Sequence, residues 1–199
     1  MTERIVLLAR HGDTDWNREL RWQGGTDIAL NDAGRAQAAE LADRLRHLAP
    51  VRVHASDLAR ARETGEIVAA RLGTPFLGTD PRLRERSFGV FEGLTQAECE
   101  ALHPDHWRRY LADRRVLPPG AEALGAVTRR MFAAVRALAT AWPTSPVLVI
   151  GHGSAIRSLV AAVTGADCPP LPNGALFRLH VDPVTPDPER AIASAERLR

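Results

Sequence analysis

Two histidines are the side chains of this sequence best placed to do chemistry, because each lies between an apolar run and a glycine. His11 comes shortly after the apolar residues 5–8, and His152 comes shortly after the apolar residues 147–150. Continuous apolar runs of this kind are typical of buried parallel strands. Open α/β sheets bind their ligands at the carboxyl ends of strands, so we expect both histidines to share one pocket although they are far apart in sequence.

The residue types at this edge suit the transfer of a phosphoryl group. A nucleophilic histidine must be neutral at the attacking nitrogen while an acceptor holds the other nitrogen, and His11 is the candidate. Arg10 stays protonated, so it cannot be a base, but its guanidinium can bind two phosphate oxygens. Arg60, near the start of a predicted helix, can point at the same edge, and His152 with the helix N-terminus at Gly153 can bind phosphate from the other side. Two arginines and two histidines can neutralise a phosphate without a metal.

The elements that position these residues alternate between extended and helical patterns. Asn31 and Ser56 are predicted N-caps of two helices, and Gly73 is the predicted end of the second. Alternating strands and helices predict an α/β fold, a three-layer α/β/α sandwich with a mostly parallel central sheet. The predicted strands cover residues 5–8, 51–55, 75–77, 147–150 and 175–181, and the predicted helices contain residues 38–48, 58–72, 127–138 and 159–163.

Two irregular segments interrupt this alternation. Residues 13–30 are polar and contain glycine, which indicates a long active-site loop. Residues 80–120 combine aromatics, prolines and arginines, and we interpret them as a small, mainly helical lid inserted above the sheet. The length of 199 residues and the 45% hydrophobic content suit a single domain over residues 1–199.

Composition excludes several classes of protein and site. No apolar run approaches the roughly 20 residues of a membrane span and no secretory signal is apparent, so we expect a cytoplasmic protein without a membrane partner. Cys99 and Cys168 lack the spacing of a zinc site or a disulfide framework, which predicts free thiols, no metal site and no cofactor. The net charge is only +2, which does not favour a nucleic-acid partner, and all 26 basic residues are arginine. Two explanations for the exclusive use of arginine are open: codon bias, or recognition of anions by guanidinium groups.

The ordered set of motifs resembles the histidine phosphatase superfamily, also called the phosphoglycerate mutase-like family, over most of the chain. Single triplets are weak signals, whereas the ordered set is specific. The matching residues are Arg10-His11-Gly12 with Thr14 and Asn17, Gln23-Gly24, Leu30-Asn31 with Gly34, Gln37 and Ala38, Ser56-Asp57-Leu58 with Arg60, Ala61 and Thr64, Leu83 with Glu85, Gly89, Phe91-Glu92-Gly93, Gly151-His152-Gly153 with Ile156-Arg157, and Asn173.

The resemblance implies a phosphohistidine intermediate on His11 and proton transfer by Glu85, which would protonate the leaving alcohol and then activate water. It implies a phosphate pocket from Arg10, Arg60 and His152 with support from Asn17. It also implies that Gln23 and Gly24 lie near the substrate and that the lid selects the alcohol. One departure concerns residues 119–123, Pro-Gly-Ala-Glu-Ala, where many members have Pro-Gly-Gly-Glu-Ser, so this chain lacks one glycine and the serine hydroxyl there.

The sequence is therefore compatible with three functions. We expect a metal-independent phosphomonoester phosphatase acting on a small phosphorylated metabolite. The alternatives are a 2,3-bisphosphoglycerate-dependent phosphoglycerate mutase and a catalytically idle module that binds a phosphate ligand or a protein. The short lid favours hydrolysis, whereas four lid arginines that could recognise a second anion keep transfer open, and the sequence also leaves a homodimer open. These four are Arg108, Arg109, Arg114 and Arg115.

Overall fold

A computed structural model describes residues 4–48, 52–143 and 146–198, and its centre is a six-stranded sheet. The strands are β1 (Arg4–Arg10), β2 (Arg52–Ala55), β3 (Phe76–Thr79), β4 (Val147–Gly151), β5 (Leu176–Val181) and β6 (Ile192–Leu198). The α-helices are α1 (Asp15–Arg18), α2 (Asp32–Leu45), α3 (Ala59–Leu72), α4 (Gln96–Leu102), α5 (Pro104–Ala112), α6 (Leu124–Ala141) and α7 (Gly153–Thr164).

The sheet has the strand order β3-β2-β4-β1-β5-β6 and is parallel except at one side. β3, β2, β4 and β1 run parallel, while β5 is antiparallel to both β1 and β6. The expected mostly parallel sheet is confirmed. The antiparallel pair explains why the chain needs only the short segment between β5 and β6, since antiparallel neighbours require no crossover helix.

Side chains of the central strands alternate between two cores, one on each face of the sheet. Along β1, Val6 and Leu8 pack into the core that α6 and α7 cover, whereas Leu7 and Ala9 pack into the core that α2 and α3 cover. All four of these side chains are at most 1% exposed. Because successive strand residues point to opposite faces, an unbroken apolar run such as residues 5–8 requires helices on both sides. The three-layer sandwich is therefore confirmed.

Strand register brings the two histidine motifs side by side. β1 and β4 are parallel neighbours, and Arg10 is the partner of Gly151 at their carboxyl ends. The His11 amide donates to the Gly151 carbonyl at 3.0 Å, so the strands stay hydrogen-bonded up to the two histidines.

Two local predictions need correction. The segment 13–30 is not entirely loop, because Thr14 and its partner Asn17 form a capping box that begins the short helix α1. Ser56 does not cap α3: the N-cap is Leu58, and the Ser56 hydroxyl accepts from the Leu58 amide at 3.3 Å instead. Ser56 lies two residues before the N-cap position. The first amide of the helix, that of Ala59, instead donates a hydrogen bond to the Asp27 carboxylate at 2.6 Å.

Other predicted boundaries hold or shift by a few residues. Asn31 caps α2, with its side chain accepting from the Gly34 amide, and Gly73 ends α3 in the left-handed conformation at φ 67°. The third strand begins and ends later than predicted, at residues 76–79. The predicted first residue of β2, Val51, lies outside the described residues.

The lid is the segment between β3 and α6, and its order comes from a small aromatic core of its own. α4 and α5 pack around Phe88, Phe91, Cys99, Trp107 and Tyr110, all buried. The expected mainly helical lid is confirmed. In the part of the chain that the structure describes, no helix has both the length and the apolar content to cross a membrane.

Candidate active site

The centre of the site is the imidazole of His11, which is only 3% exposed. Its Nδ1 lies 2.7 Å from the Gly12 carbonyl oxygen. Burial, and then the charges of Arg60 and Arg10, hold the pKa of His11 well below its usual value, although the Gly12 carbonyl opposes them. The ring is therefore neutral near pH 7. Because a carbonyl only accepts, the single ring proton belongs on Nδ1, and Nε2 keeps a free lone pair.

Gly12 can take this position only because it has no side chain. A Cβ atom there would lie 2.3 Å from the carbonyl oxygen of Gly34 at the start of α2. The reciprocal contact is equally close, since a Cβ atom on Gly34 would lie 2.1 Å from the Asp13 carbonyl oxygen. This backbone-to-backbone approach fixes the turn that carries His11.

His152 lies directly behind His11, with a distance of 5.0 Å between the ring centroids. It is fully buried, and burial followed by the charges of Arg60, His11 and Arg10 holds its pKa well below the usual value. Neither ring nitrogen has a hydrogen-bond partner within the described residues. Unpaired buried polar atoms are costly, which makes this ring a candidate for binding a ligand that the site is shaped to receive.

Two arginines add positive charge to the same point. Arg60 is 1% exposed, and it donates to the carbonyl oxygens of Thr26 and Gly24 at 2.8 and 2.9 Å. Burial, aided by Arg10 and opposed by Glu85 and Asp27, lowers the pKa of Arg60 to about 10, so it remains charged at neutral pH.

Arg10 is held by the Leu171 carbonyl oxygen, which accepts from its Nη1. Burial lowers its pKa, whereas the charges of Glu85 and Asp13 oppose that shift. The Nε atoms of Arg10 and Arg60 are both buried without a partner among the described residues. Unpaired donors on two charged groups beside His11 have the chemistry to bind an oxyanion.

Asparagines fix the loop that crosses the site. The Asn17 side-chain oxygen accepts from the Thr14 amide and hydroxyl at 3.2 and 3.0 Å. Asn173, after α7, donates to the His11 carbonyl oxygen at 2.9 Å and lies 3.4 Å from the Asn17 oxygen. Asn17 thus completes the capping box of α1 and also lines the cavity in front of His11.

Glu92 joins the lid to the segment of Gln23 and Gly24. Its carboxylate accepts from the Gly25 and Thr26 amides at 3.1 Å, and from the Phe88 amide at 2.9 Å. Burial alone would raise the pKa of Glu92, but these donors and two hydroxyl groups hold it below its usual value. The same segment supplies the carbonyl oxygens that hold Arg60, so Glu92 supports the arginine indirectly.

Glu85 faces the same cavity from the lid side. Its Oε1 accepts from the amides of Arg86 and Ala155, at 2.8 and 2.9 Å, and its Oε2 accepts from the Ser154 amide at 2.9 Å. Two amides at the N-terminus of α7, those of Ser154 and Ala155, therefore hold a carboxylate, whereas the Gly153 amide is not among its donors. Arg130 fixes the adjoining backbone by donating to the Glu85 carbonyl oxygen at 3.0 Å.

The cavity at this edge has a volume of about 200 Å³. Of the residues predicted for the site, Arg10, His11, Asn17, Gln23, Gly24, Arg60 and Glu85 line it. His152 and Gly153 lie just behind, where a Cβ atom on Gly153 would be 3.5 Å from the Arg10 Nε. Ser154 and Arg130 were missed, because the contacts that give them a place in the site are long-range and no local pattern marks them.

Cysteines and metal-ligand groups add no further site. Cys99 and Cys168 are free and buried, as predicted, and burial raises the pKa of the Cys99 thiol to about 11. In the described ranges, no three His, Cys, Asp or Glu side chains are grouped so that they could hold a metal ion.

The fold and this arrangement of His11, His152, Arg10 and Arg60 define a class of enzymes. Residues 6–192 match the family model described as the histidine phosphatase superfamily, branch 1. The chain belongs to this superfamily, and the protein is an enzyme of it.

Relatives within the family carry both phosphatase and mutase-like names. The chain is 37% identical over 157 residues to phosphoglycerate mutase-like protein 4 of Arabidopsis thaliana, covering 77% of this chain and 68% of that protein. It is 35% identical over 172 residues to the glucosyl-3-phosphoglycerate phosphatase of Mycolicibacterium vanbaalenii, covering 83% and 76%. A solved structure of a mycobacterial glucosyl-3-phosphoglycerate phosphatase in complex with VO3 superposes with a TM-score of 0.82 at 29% identity, covering 98% of this chain and 97% of that chain.

Proposed function

We propose that the protein is a phosphomonoester phosphatase that hydrolyses a small phosphorylated metabolite through a phosphohistidine on His11. The observation that carries this proposal is the neutral His11 ring, whose Nδ1 is held by the Gly12 carbonyl oxygen while Nε2 keeps its lone pair. A histidine in this state is ready to attack phosphorus. The phosphatase names among the relatives support the same reaction class.

The phosphoryl group would be bound by guanidinium and imidazole donors. Arg10 and Arg60 each offer a buried Nε without a partner among the described residues, and His152 offers a ring N–H. Fixed positive charge stabilises the charge that spreads over the transferring oxygens. This set of donors supports a reaction that needs no metal ion.

The first step would be attack of His11 Nε2 on phosphorus. The P–O bond to the alcohol breaks, and Glu85 gives its proton to the departing alcohol oxygen. Each carboxylate oxygen has two lone-pair directions, and among the described residues Oε2 accepts one N–H, from Ser154. That oxygen therefore has room for the proton in transit.

The second step would be hydrolysis of the phosphohistidine. A water molecule attacks phosphorus, Glu85 takes the proton of the water, and the P–N bond breaks. Inorganic phosphate leaves, His11 is neutral again with its proton on Nδ1, and Glu85 is protonated for the next cycle. One residue serves as acid and then as base because the second half-reaction is the reverse of the first, with water in place of the alcohol.

The decisive experiment measures phosphate release from a panel of metabolite phosphates with a chelator present. Isomerisation of 3-phosphoglycerate with catalytic 2,3-bisphosphoglycerate is followed in parallel. Release from one class of ester supports the proposal and names the class. Rapid isomerisation with little release would instead establish a mutase. If the protein shows neither activity, the idle binding module is the function that remains.

Substitution tests the nucleophile directly. H11A should abolish turnover and the acid-labile phosphoenzyme that forms with a labelled ester, because no other group at that position can carry the phosphoryl group. His47 is exposed on the turn after α2, and H47A is the matched control that should retain both. An H11A protein that is folded and still turns over would refute the assignment.

A further inference from the structure

The segment that carries Glu85 has no helix or strand of its own to hold it. Residues 84–87 lie between two short 3₁₀ turns, so their backbone carbonyl oxygens must find donors outside regular secondary structure. The donor is the guanidinium of Arg130, which projects from α6. Three carbonyl oxygens accept from it, those of Arg82 at 2.7 Å, Arg84 at 2.6 Å and Glu85 at 3.0 Å.

The Glu122 carboxylate accepts the other two N–H groups of this guanidinium. Its Oε1 lies 2.9 Å from the Arg130 Nε, and its Oε2 lies 2.9 Å from the Nη2. An arginine side chain carries five N–H donors, and these partners use all five. Only 18% of the Arg130 side chain and 27% of the Glu122 side chain are exposed. A bidentate pair of planar groups fixes direction as well as distance, so Arg130 is held in one orientation while it holds the segment of Glu85.

The backbone of Glu122 holds the other end of the same segment. Its amide donates to the Ser87 carbonyl oxygen at 3.0 Å, and its carbonyl oxygen accepts from the Arg86 Nε at 2.8 Å. α6 is a fixed base for these contacts, because Met131, the residue after the arginine, is fully buried in the core. The backbone on both sides of Glu85 is therefore anchored to α6 and to the turn before it.

The carboxylate of Glu85 is held from a different direction. The amides of Ser154 and Ala155, in the first turn of α7, donate to its two oxygens at 2.9 Å. α7 thus sets the direction of the carboxylate, whereas Arg130 on α6 sets the position of the backbone that carries it. Both are needed, because a displacement of about 1 Å in a reacting group can lower a rate about 10²-fold.

We infer that Arg130, paired with Glu122, is a positioning residue for the transfer of a proton by Glu85. Arg130 is not among the described residues that line the cavity of His11, so it acts through the backbone of Glu85 and not on the substrate. The inference rests on the proposed function, in which Glu85 protonates the leaving alcohol, and it adds a residue to that step.

The substitution R130K tests the geometry while it keeps the positive charge. A lysine ammonium has three donors on a flexible stem and cannot reproduce the planar set of five. Keeping the charge matters because Arg130 also acts on the site at a distance. Burial is the main cause that lowers the pKa of His152, and Arg130 is one of the cations that add to it. An effect of R130K therefore reports the lost contacts.

The measured quantity is the rate of phosphohistidine formation, followed by rapid quench with an alkyl phosphate and with an activated aryl phosphate. R130K should lower the rate with the alkyl phosphate about 10–10²-fold, because the proton donor is displaced. The rate with the aryl phosphate should stay near that of the wild type, since its leaving group departs without protonation. The ratio of the two rates is taken on one protein sample, so an unfolded fraction does not change it.

Two further variants control this measurement. Arg129 is the exposed neighbour of Arg130 on α6, and R129K should keep both wild-type rates. E122Q leaves the guanidinium and its three carbonyl partners in place but removes the charge of the carboxylate. It should raise the aryl-to-alkyl ratio in the same direction by a smaller factor, and it provides the test even if R130K fails to fold.

The double variant E85Q/R130K separates positioning from a general loss of structure. In an E85Q protein no proton donor is left to displace, so adding R130K should cause no further loss with the alkyl phosphate. Two residues that act through the same group are non-additive in this way. A residue that only maintains the fold would lower the rate in both backgrounds.

The outcomes separate the inference from the proposed function. An aryl-to-alkyl ratio that R130K and E122Q leave unchanged, or a loss that R130K also causes in the E85Q background, would overturn the inference and leave the phosphatase intact. If E85Q forms the phosphoenzyme from both esters at wild-type rates, the role of Glu85 fails and the inference fails with it. A wild-type protein that forms no phosphohistidine from either ester would overturn both proposals.

Discussion

At the level of single residues, the proposed reaction requires one group, His11, to stay neutral and another, Glu85, to exchange a proton. His11 must remain neutral, and its burial between Arg10 and Arg60 accomplishes this by lowering its pKa. Glu85 must exchange a proton, and three backbone amides hold its carboxylate in one orientation toward the cavity. This fixed orientation matters because a carboxyl group can transfer a proton only when it lies within hydrogen-bond distance of the leaving oxygen.

The residue-scale prediction concerns Glu85→Gln. An amide cannot supply the proton, so kcat for an alkyl phosphate should fall about 10²–10⁴-fold, the usual contribution of general acid catalysis. An activated aryl phosphate should lose far less in phosphohistidine formation, because its leaving group departs without protonation. Rapid-quench measurement of the phosphoenzyme with both esters checks this, and equal losses would count against Glu85 as the acid.

At the level of elements, the site depends on how the lid segment is tied to the loop after α1. The Glu92 carboxylate accepts hydrogen bonds from both sides, from Gly25 and Thr26 on the loop and from Phe88 on the lid. Gly24 permits this with φ at +52°, where a Cβ atom would lie 2.2 Å from the carboxylate. Arg60, which lines the cavity of His11, is in turn held by carbonyl oxygens of this loop.

The element-scale prediction is that Glu92→Gln loosens the loop and with it Arg60. Replacing one carboxylate oxygen by an amide nitrogen leaves amide donors unpaired, so the free energy of unfolding should fall by about 1–3 kcal/mol. The affinity for vanadate, measured by inhibition, should fall with it. E100Q on the exposed face of α4 is the control that should change neither value. If E92Q kept the wild-type affinity for vanadate, the position of Arg60 would not depend on this loop.

At the level of the whole molecule, burying two neutral histidines beside two arginines links stability to pH. The pKa values of His11 and His152 are both held well below the usual 6.5. The unfolded chain therefore binds more protons than the folded protein once the pH drops below about 6.5. Stability is complete above that pH and declines as the pH falls, until the folded histidines also protonate.

We therefore expect the free energy of unfolding to decrease by about 1.4 kcal/mol per pH unit for each histidine below about pH 6.5. Urea titrations between pH 7.5 and pH 5 measure this slope. H11Q and H152Q should each reduce it, because each removes one group that titrates differently in the two states. A slope that neither substitution changes would assign the acid sensitivity to other groups.

Much of this architecture was predictable because it is encoded in local patterns. The apolar runs before His11 and His152 indicated buried strands, and Asn31 and Gly73 marked helix ends through backbone preferences that act within a few residues. The cap of α3 was not predictable in this way. Asp27 replaces Ser56 there because the chain folds back across 32 residues, which no local spacing reveals.

The sequence by itself determined the sandwich, the meeting of the two histidines at one sheet edge, and, through its resemblance, the superfamily. Only the tertiary structure decided where the lid arginines point: Arg108 and Arg115 pair with nearby aspartates, whereas Arg114 lines a cavity of about 420 Å³ together with Trp22 and Phe88. Strand and helix signals are local, so one sequence carries them. The direction of a long charged side chain depends on partners from distant segments, and only the folded chain brings those partners together.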